Sequence, residues 1–144
     1  MSSLTRIVNG MLIREERVLI AKRSSERQSY PSRWSFPGGH VEPSEAMDAA
    51  LIRELREEIS VTPVDYGLFS EIDDPNTRAG QRIVYSMYLV TAWKGGEPIM
   101  QGTEHSELRW LHPREALLLA DLALPDYQQL FERLSRRTSV AQPP

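Results

Sequence analysis

Apolar residues fill two short stretches near the start of the chain, 5–13 and 17–22. Arg14, Glu15 and Glu16 lie between them, which predicts a strand pair with a tight turn. The polar segment 24–33, interrupted by Pro31, predicts a loop. Residues 34–36 read as a short extended piece and 40–42 as another. Between them Pro37, Gly38 and Gly39 read as a turn or a close backbone approach. The longest helical period follows. At about 100° per residue, Leu51, Ile52, Leu55 and Ile59 share an arc roughly 100° wide, so 44–59 predicts an amphipathic helix with that arc on the core. Ser44 is its expected N-cap, and Glu45 and Asp48 suit the positive end of the helix dipole. Asp48 falls among the apolar positions, which requires an exposed first turn. Glu54, Glu57 and Glu58 occupy a neighbouring arc.

Two further strands are predicted at 63–72 and 81–93, on either side of the polar loop 73–80. In the second, Ile83, Tyr85, Met87 and Leu89 alternate with Val84, Ser86, Tyr88 and Val90, so both faces should be covered. Lys94, Gly95 and Gly96 turn the chain, 108–111 predicts a short strand, and 113–120 and 127–136 predict helices, the second entered through Pro125 and Asp126. The pattern predicts an α/β fold in which helices cover both sides of a sheet. A single domain is expected over 1–136, with 137–144 as a flexible tail.

Composition narrows the function. A chain of 144 residues suits one compact domain, and 40% hydrophobic with 26% charged residues is an ordinary globular balance. No apolar run approaches the ~18 residues of a membrane span. Residues 1–10 lack the charged start, apolar centre and small-residue site of a signal peptide. Cysteine is absent, which excludes disulfides, thiolate chemistry and cysteine-ligated zinc. A cytoplasmic protein without membrane contact is expected. With 17 basic and 20 acidic side chains the net charge is -3, whereas domains that grip polymeric nucleic acid carry a basic excess. A polyphosphate substrate would require metal ions to reconcile two negative partners.

Glu54, Glu57 and Glu58, at i, i+3 and i+4, would repel one another, with only Arg53 and Arg56 nearby to compensate. In isolation such a run is a solvated helix face. Beside a glycine turn it is a hard-oxygen site suited to Mg²⁺, or Mn²⁺ in its place. Gly39, Glu45, Arg53, Glu54, Leu55, Glu57, Glu58 and Val61 resemble the Nudix box, which the sequence matches throughout 39–61 except at Ser60, where that family has glycine. Six glycine or charged matches, each at a background of about 6–7%, would arise by chance in roughly one such chain in 10⁵.

The resemblance implies a Nudix-type α/β/α sandwich with a mixed sheet, and a metal-dependent hydrolase of a nucleoside diphosphate linked to another moiety. It implies that Glu54, Glu57 and Glu58 bind metal together with the Gly38 carbonyl, and that Glu45 and Arg53 hold the loop and orient the ligands. Glu54 is the first candidate for the base that activates water. Glu104 is the second: six residues before Trp110, it sits where MutT-like relatives carry an additional metal-binding glutamate, although a surface loop charge would look the same. Ser60 is not at a ligand position; glycine there would suit a left-handed helix end, which serine adopts at a cost of about 1 kcal/mol.

Residues 18–23 and 34–39 resemble the approach to the box in MutT-like nucleoside triphosphate pyrophosphohydrolases, which release a nucleoside monophosphate and pyrophosphate. On that basis Lys22 or Arg23 could hold a phosphate, Phe36 and His40 could face the substrate, and Asp126 could read the base or simply cap the last helix. Pro75, some 14 residues past the box, also suits an ADP-ribose or nucleotide-sugar pyrophosphatase, and 19–27 partly resembles coenzyme A pyrophosphatases. A Nudix domain can also be a non-catalytic nucleotide sensor, but such domains often lose box glutamates that this chain keeps. The partner expected is a small nucleotide, bound by a monomer or homodimer.

Overall fold

The computed structural model describes residues 3–141, with side chains through 137. β1 (Ser3–Arg14) and β2 (Arg17–Arg23) form the expected antiparallel pair. Glu15 and Glu16 turn it with φ of 51° and 67°, the left-handed values that a two-residue hairpin matched to strand twist demands. β1 then becomes the centre of the sheet. It runs parallel to β6 (Gln81–Lys94) from Ser3↔Gln81 to Leu12↔Val90, and β5 (Thr62–Asp73) flanks β6 antiparallel. β2 carries β3 (Trp34–Ser35) and β7 (His105–Leu111), so the seven-stranded sheet is mixed.

At the glycines the second of the two sequence readings, a close backbone approach, is the one that holds. Gly38–His40 is a strand, β4, paired with β1 through Val8↔Gly39 and Asn9↔Gly38, not a turn. Glycine is needed there for proximity. A Cβ on Gly38 would lie 1.9 Å from the Val8 carbonyl oxygen, and one on Gly39 would lie 2.4 Å from Cδ of Glu54.

α1 (Met47–Ile59) covers one face of the sheet. Leu51, Leu55 and Ile59 pack against Val8, Leu12, Leu19, Tyr88 and Val90, as the apolar arc predicts. Ile52 is only half-buried, and Ala50 takes its place in the core. The helix starts three residues later than expected, with Ala46 as its N-cap. Ser44 instead adopts φ 66° in a turn closed by the Glu45 N–H donating to the Glu42 carbonyl (3.0 Å), which brings the Glu45 carboxylate back toward Arg53. The first turn is exposed, which accommodates Asp48.

α2 (Pro113–Ala116) and α3 (Tyr127–Ala141) cover the other face, where Phe131, Tyr127 and Leu130 pack on Met11, Ile20 and Phe36. An α/β/α sandwich results. α2 is shorter than expected because the chain must extend again: the Trp34 N–H donates to the Asp121 carbonyl and the Ala123 N–H to the Trp34 carbonyl, both at 2.8 Å. α3 runs five residues past the expected domain end at 136; positions 142–144 of the expected tail lie outside the described residues. No helix among the described residues is long and apolar enough to cross a membrane.

Ser60 ends α1 at φ 60°, ψ 32°, the left-handed cap that its mismatch with the box implies. Ser60→Gly is expected to raise stability by up to about 1 kcal/mol by relieving that conformation. Activity should stay within a few fold. Urea unfolding together with steady-state rates checks both, and a large gain in turnover would show that serine impairs the site.

Candidate active site

The β4 glycines and the second half of α1 meet edge to face. Because Gly38 has no side chain, its N–H reaches Glu58, donating to Oε2 at 2.7 Å. Glu58 is 6% exposed, and its Oε1, also buried, has no donor among the described residues. It lies against the Glu104 carboxylate. Burial first, then the neighbouring Glu104 carboxyl, pushes the Glu58 carboxyl up to about 10. Glu104 is held below the usual range by its contact with Glu58 and by Arg27, whose guanidinium stands 3.3 Å away. Two carboxyls in contact must share a proton or a cation, and a buried oxygen without a donor is what a divalent ion satisfies.

Glu54 sits half-buried over Gly39, and burial raises its carboxyl above the usual range. Glu57, one turn from Arg53, is exposed. Among the described residues no three acidic or histidine side chains already converge as a closed metal cage. Glu58 stands with Glu104, and Glu54 feels the charge of both Glu57 and Glu104, so the four carboxyls influence one another beside the glycine strand.

Arg53 ties the arrangement together. It donates to both oxygens of Glu45 (2.8 and 2.9 Å), to Glu54 Oε1 (2.7 Å) and to the His40 carbonyl (3.0 Å), and stands 3.5 Å from Glu57. Glu45 in turn accepts from the Glu42 N–H at 3.1 Å. These bonds hold the Glu45 carboxyl down to about 2, the Arg53 bond foremost. A planar fork with so many acceptors fixes the loop before α1 and the rotamer of Glu54 together.

A cleft opens beside Glu58, Gly38 and Gly39. Of the residues expected at the substrate, Arg23, Phe36 and His40 line it. Arg23 donates to the Ser29 carbonyl (2.8 Å) and hydroxyl (2.9 Å), and burial lowers its affinity for the proton. Phe36 packs edge-on against Tyr127 at 5.1 Å. Lys22 is not in the lining; its ammonium lies 5.8 Å from the Trp34 ring. Asp126 is exposed outside the lining, whereas its neighbours Leu124 and Tyr127 are within it.

Sequence reading did not single out Asn9, Ser35, Tyr30, Tyr85, Arg27 or His105, all in the lining. Tyr30 and Tyr85 each donate to one oxygen of Asp74 at 2.7 Å, pinning the 24–33 loop to the end of β5. Burial holds His105 down to about 4, so it is neutral near pH 7. Only Asn9 carried a legible signal, as a polar residue inside an apolar strand.

A NUDIX domain model matches residues 4–134. The CTP pyrophosphohydrolase of Escherichia coli K12 is 31% identical over 115 residues, spanning 77% of this chain and 78% of that protein. The 8-oxo-dGTP diphosphatase of the same strain is 29% identical over 105 residues, spanning 73% and 78%. The solution structure of the Escherichia coli ORF135 protein superposes with a TM-score of 0.78 at 27% identity, covering 99% of this chain and 96% of that one.

Proposed function

The chain belongs to the NUDIX domain family and is a Nudix pyrophosphohydrolase, and from that premise we propose that it hydrolyses nucleoside triphosphates to the monophosphate and pyrophosphate. The observation that carries this reading is buried Glu58, held by the Gly38 N–H with one oxygen lacking a donor among the described residues, in the lining of a cleft that is cationic near Arg23 and aromatic near Phe36 and Tyr127. The names of the two relatives support the triphosphate class. Nudix hydrolases use divalent metal ions; here Glu54, Glu57 and Glu58, with Glu104 and the Gly38 carbonyl, would hold Mg²⁺ or Mn²⁺. Such ions neutralise phosphoryl oxygens and lower the pKa of bound water.

The chain's own groups do the rest. Arg53 orients Glu54 and secures the loop through Glu45. Glu54, its proton affinity raised by burial, takes the proton of the attacking water. Arg23, preset by Ser29, and Arg27 meet the negative charge of the phosphates. The aromatic end of the cleft takes the base.

The test incubates the protein with nucleoside triphosphates, nucleotide sugars, dinucleotides and coenzyme A, resolving phosphate from pyrophosphate. Pyrophosphate release from triphosphates, abolished by excess EDTA and restored by Mg²⁺, is expected. Turnover that persists in EDTA would overturn the site assignment. Turnover confined to nucleotide sugars or coenzyme A would overturn the substrate class.

A further inference from the structure

Two side chains in the cleft have no part in the chemistry above. Asn9 in β1 and Ser35 in β3 are 6% and 4% exposed, and both line the cavity. Nδ2 of Asn9 donates to the Phe36 carbonyl at 3.1 Å. That bond fixes the amide, because the flipped orientation would set Oδ1 against the carbonyl oxygen, acceptor to acceptor. Oδ1 is therefore the atom left over. It is buried without a hydrogen-bond partner among the described residues, and so is Ser35 Oγ. Buried polar atoms are nearly always satisfied in folded proteins. Two such exceptions, besides Glu58 Oε1, in the wall of one cavity point to a ligand that completes them.

The chemistry of these atoms narrows the ligand. Amide Oδ1 only accepts, so among the groups of a nucleotide it cannot meet a phosphate oxygen and calls for an N–H or O–H. The serine hydroxyl donates or accepts. Around them Phe36, Leu124 and Tyr127 supply flat apolar walls suited to a ring. We propose that Asn9 and Ser35 select nucleobases bearing an exocyclic amine, as cytosine and adenine do. The amine donates to Asn9 Oδ1, and the Ser35 hydroxyl donates to the adjacent ring nitrogen. In uracil and hypoxanthine a carbonyl replaces that amine, and its oxygen would face Oδ1, lone pair to lone pair. This inference rests on reading the cleft as a nucleotide site, and it names the class of base that the site takes.

Calorimetry with nucleoside monophosphates tests it without requiring hydrolysis. CMP is expected to bind at least tenfold tighter than UMP, and AMP than IMP. Asn9→Leu, which keeps the side chain's size, and Ser35→Ala, which spares the Phe36 contact, should each bring both ratios below about threefold. Melting temperatures verify that the variants fold. Equal binding of amino and oxo partners by the natural protein would overturn the inference, as would variants that weaken both members of a pair alike. If Asn9→Leu changes the CMP to dCMP ratio and leaves CMP to UMP untouched, the donor is a sugar hydroxyl and the base assignment is overturned. Triphosphate hydrolysis without amino-over-oxo preference would sink this inference alone, whereas no hydrolysis and no nucleotide binding would sink the proposed function with it.

Discussion

Glu58→Gln is expected to lower kcat by three orders of magnitude or more while leaving the melting temperature unchanged or slightly raised. Glutamine is nearly isosteric, and its carbonyl oxygen can still accept the Gly38 N–H, so the contact between β4 and α1 survives. What disappears is the capacity for negative charge on a buried oxygen that has no donor among the described residues. Burial and the neighbouring Glu104 both disfavour charge on Glu58, so replacing its carboxyl by a neutral amide costs the fold little. A metal site, in contrast, depends on that charge. Glu57→Gln should lose turnover on a similar scale with no change in stability, because Glu57 is exposed and its nearest cation, Arg53, has three other acceptors. Stopped assays across a Mg²⁺ series separate lost affinity from lost turnover. If both variants keep more than a tenth of the natural kcat at saturating metal, these carboxylates are not at the metal.

Alanine at the two adjacent glycines should produce opposite failures. In Gly39→Ala the new Cβ would lie 2.4–2.6 Å from three atoms of the Glu54 carboxyl group. That group ends a flexible side chain and can move aside, so the fold should hold. Glu54 would leave the position Arg53 gives it, and displacements of about 1 Å at reacting groups cost about 100-fold in rate. In Gly38→Ala the obstacle is the Val8 carbonyl oxygen at 1.9 Å, which is backbone and can yield only by separating β4 from β1. This variant should lose about 1–3 kcal/mol of stability, as overpacked sites do. Urea midpoints measured beside kcat distinguish the cases. Equal stability losses in the two variants would show that the Glu54 side chain is no freer to move than the strand.

The pattern of apolar positions was sufficient to find α1, the β1–β2 pair and the doubly covered β6, because burial imposes its period directly on the residues that pack. The box glutamates were legible for another reason: their spacing on one helix is local. What escaped was set by distant pairing. Gly38 and Gly39 read equally as a turn or as a close approach until β1 is placed beside them, and α2 looks longer until Trp34 claims the backbone of Asp121 and Ala123. The same holds for the cleft, whose lining draws Asn9, Tyr30, Tyr85 and His105 from four separate segments. The Tyr30–Asp74–Tyr85 link spans two loops that polarity alone identifies only as loops.

β1 runs parallel to β6, pairing Ser3 with Gln81, roughly 80 residues later. Contacts this distant in sequence close late, because the chain between them must first give up its freedom. Until β6 has been made, β1 has only β2 and the three-residue β4 beside it, and β6 supplies its longest ladder. The β1–β2 and β5–β6 hairpins can form locally, but the sheet cannot close on its centre until the chain has been made through β6. β4, which is held by β1, therefore belongs to a unit completed only when β6 docks, and a chain cut before β6 would carry the box glutamates without the sheet that positions them.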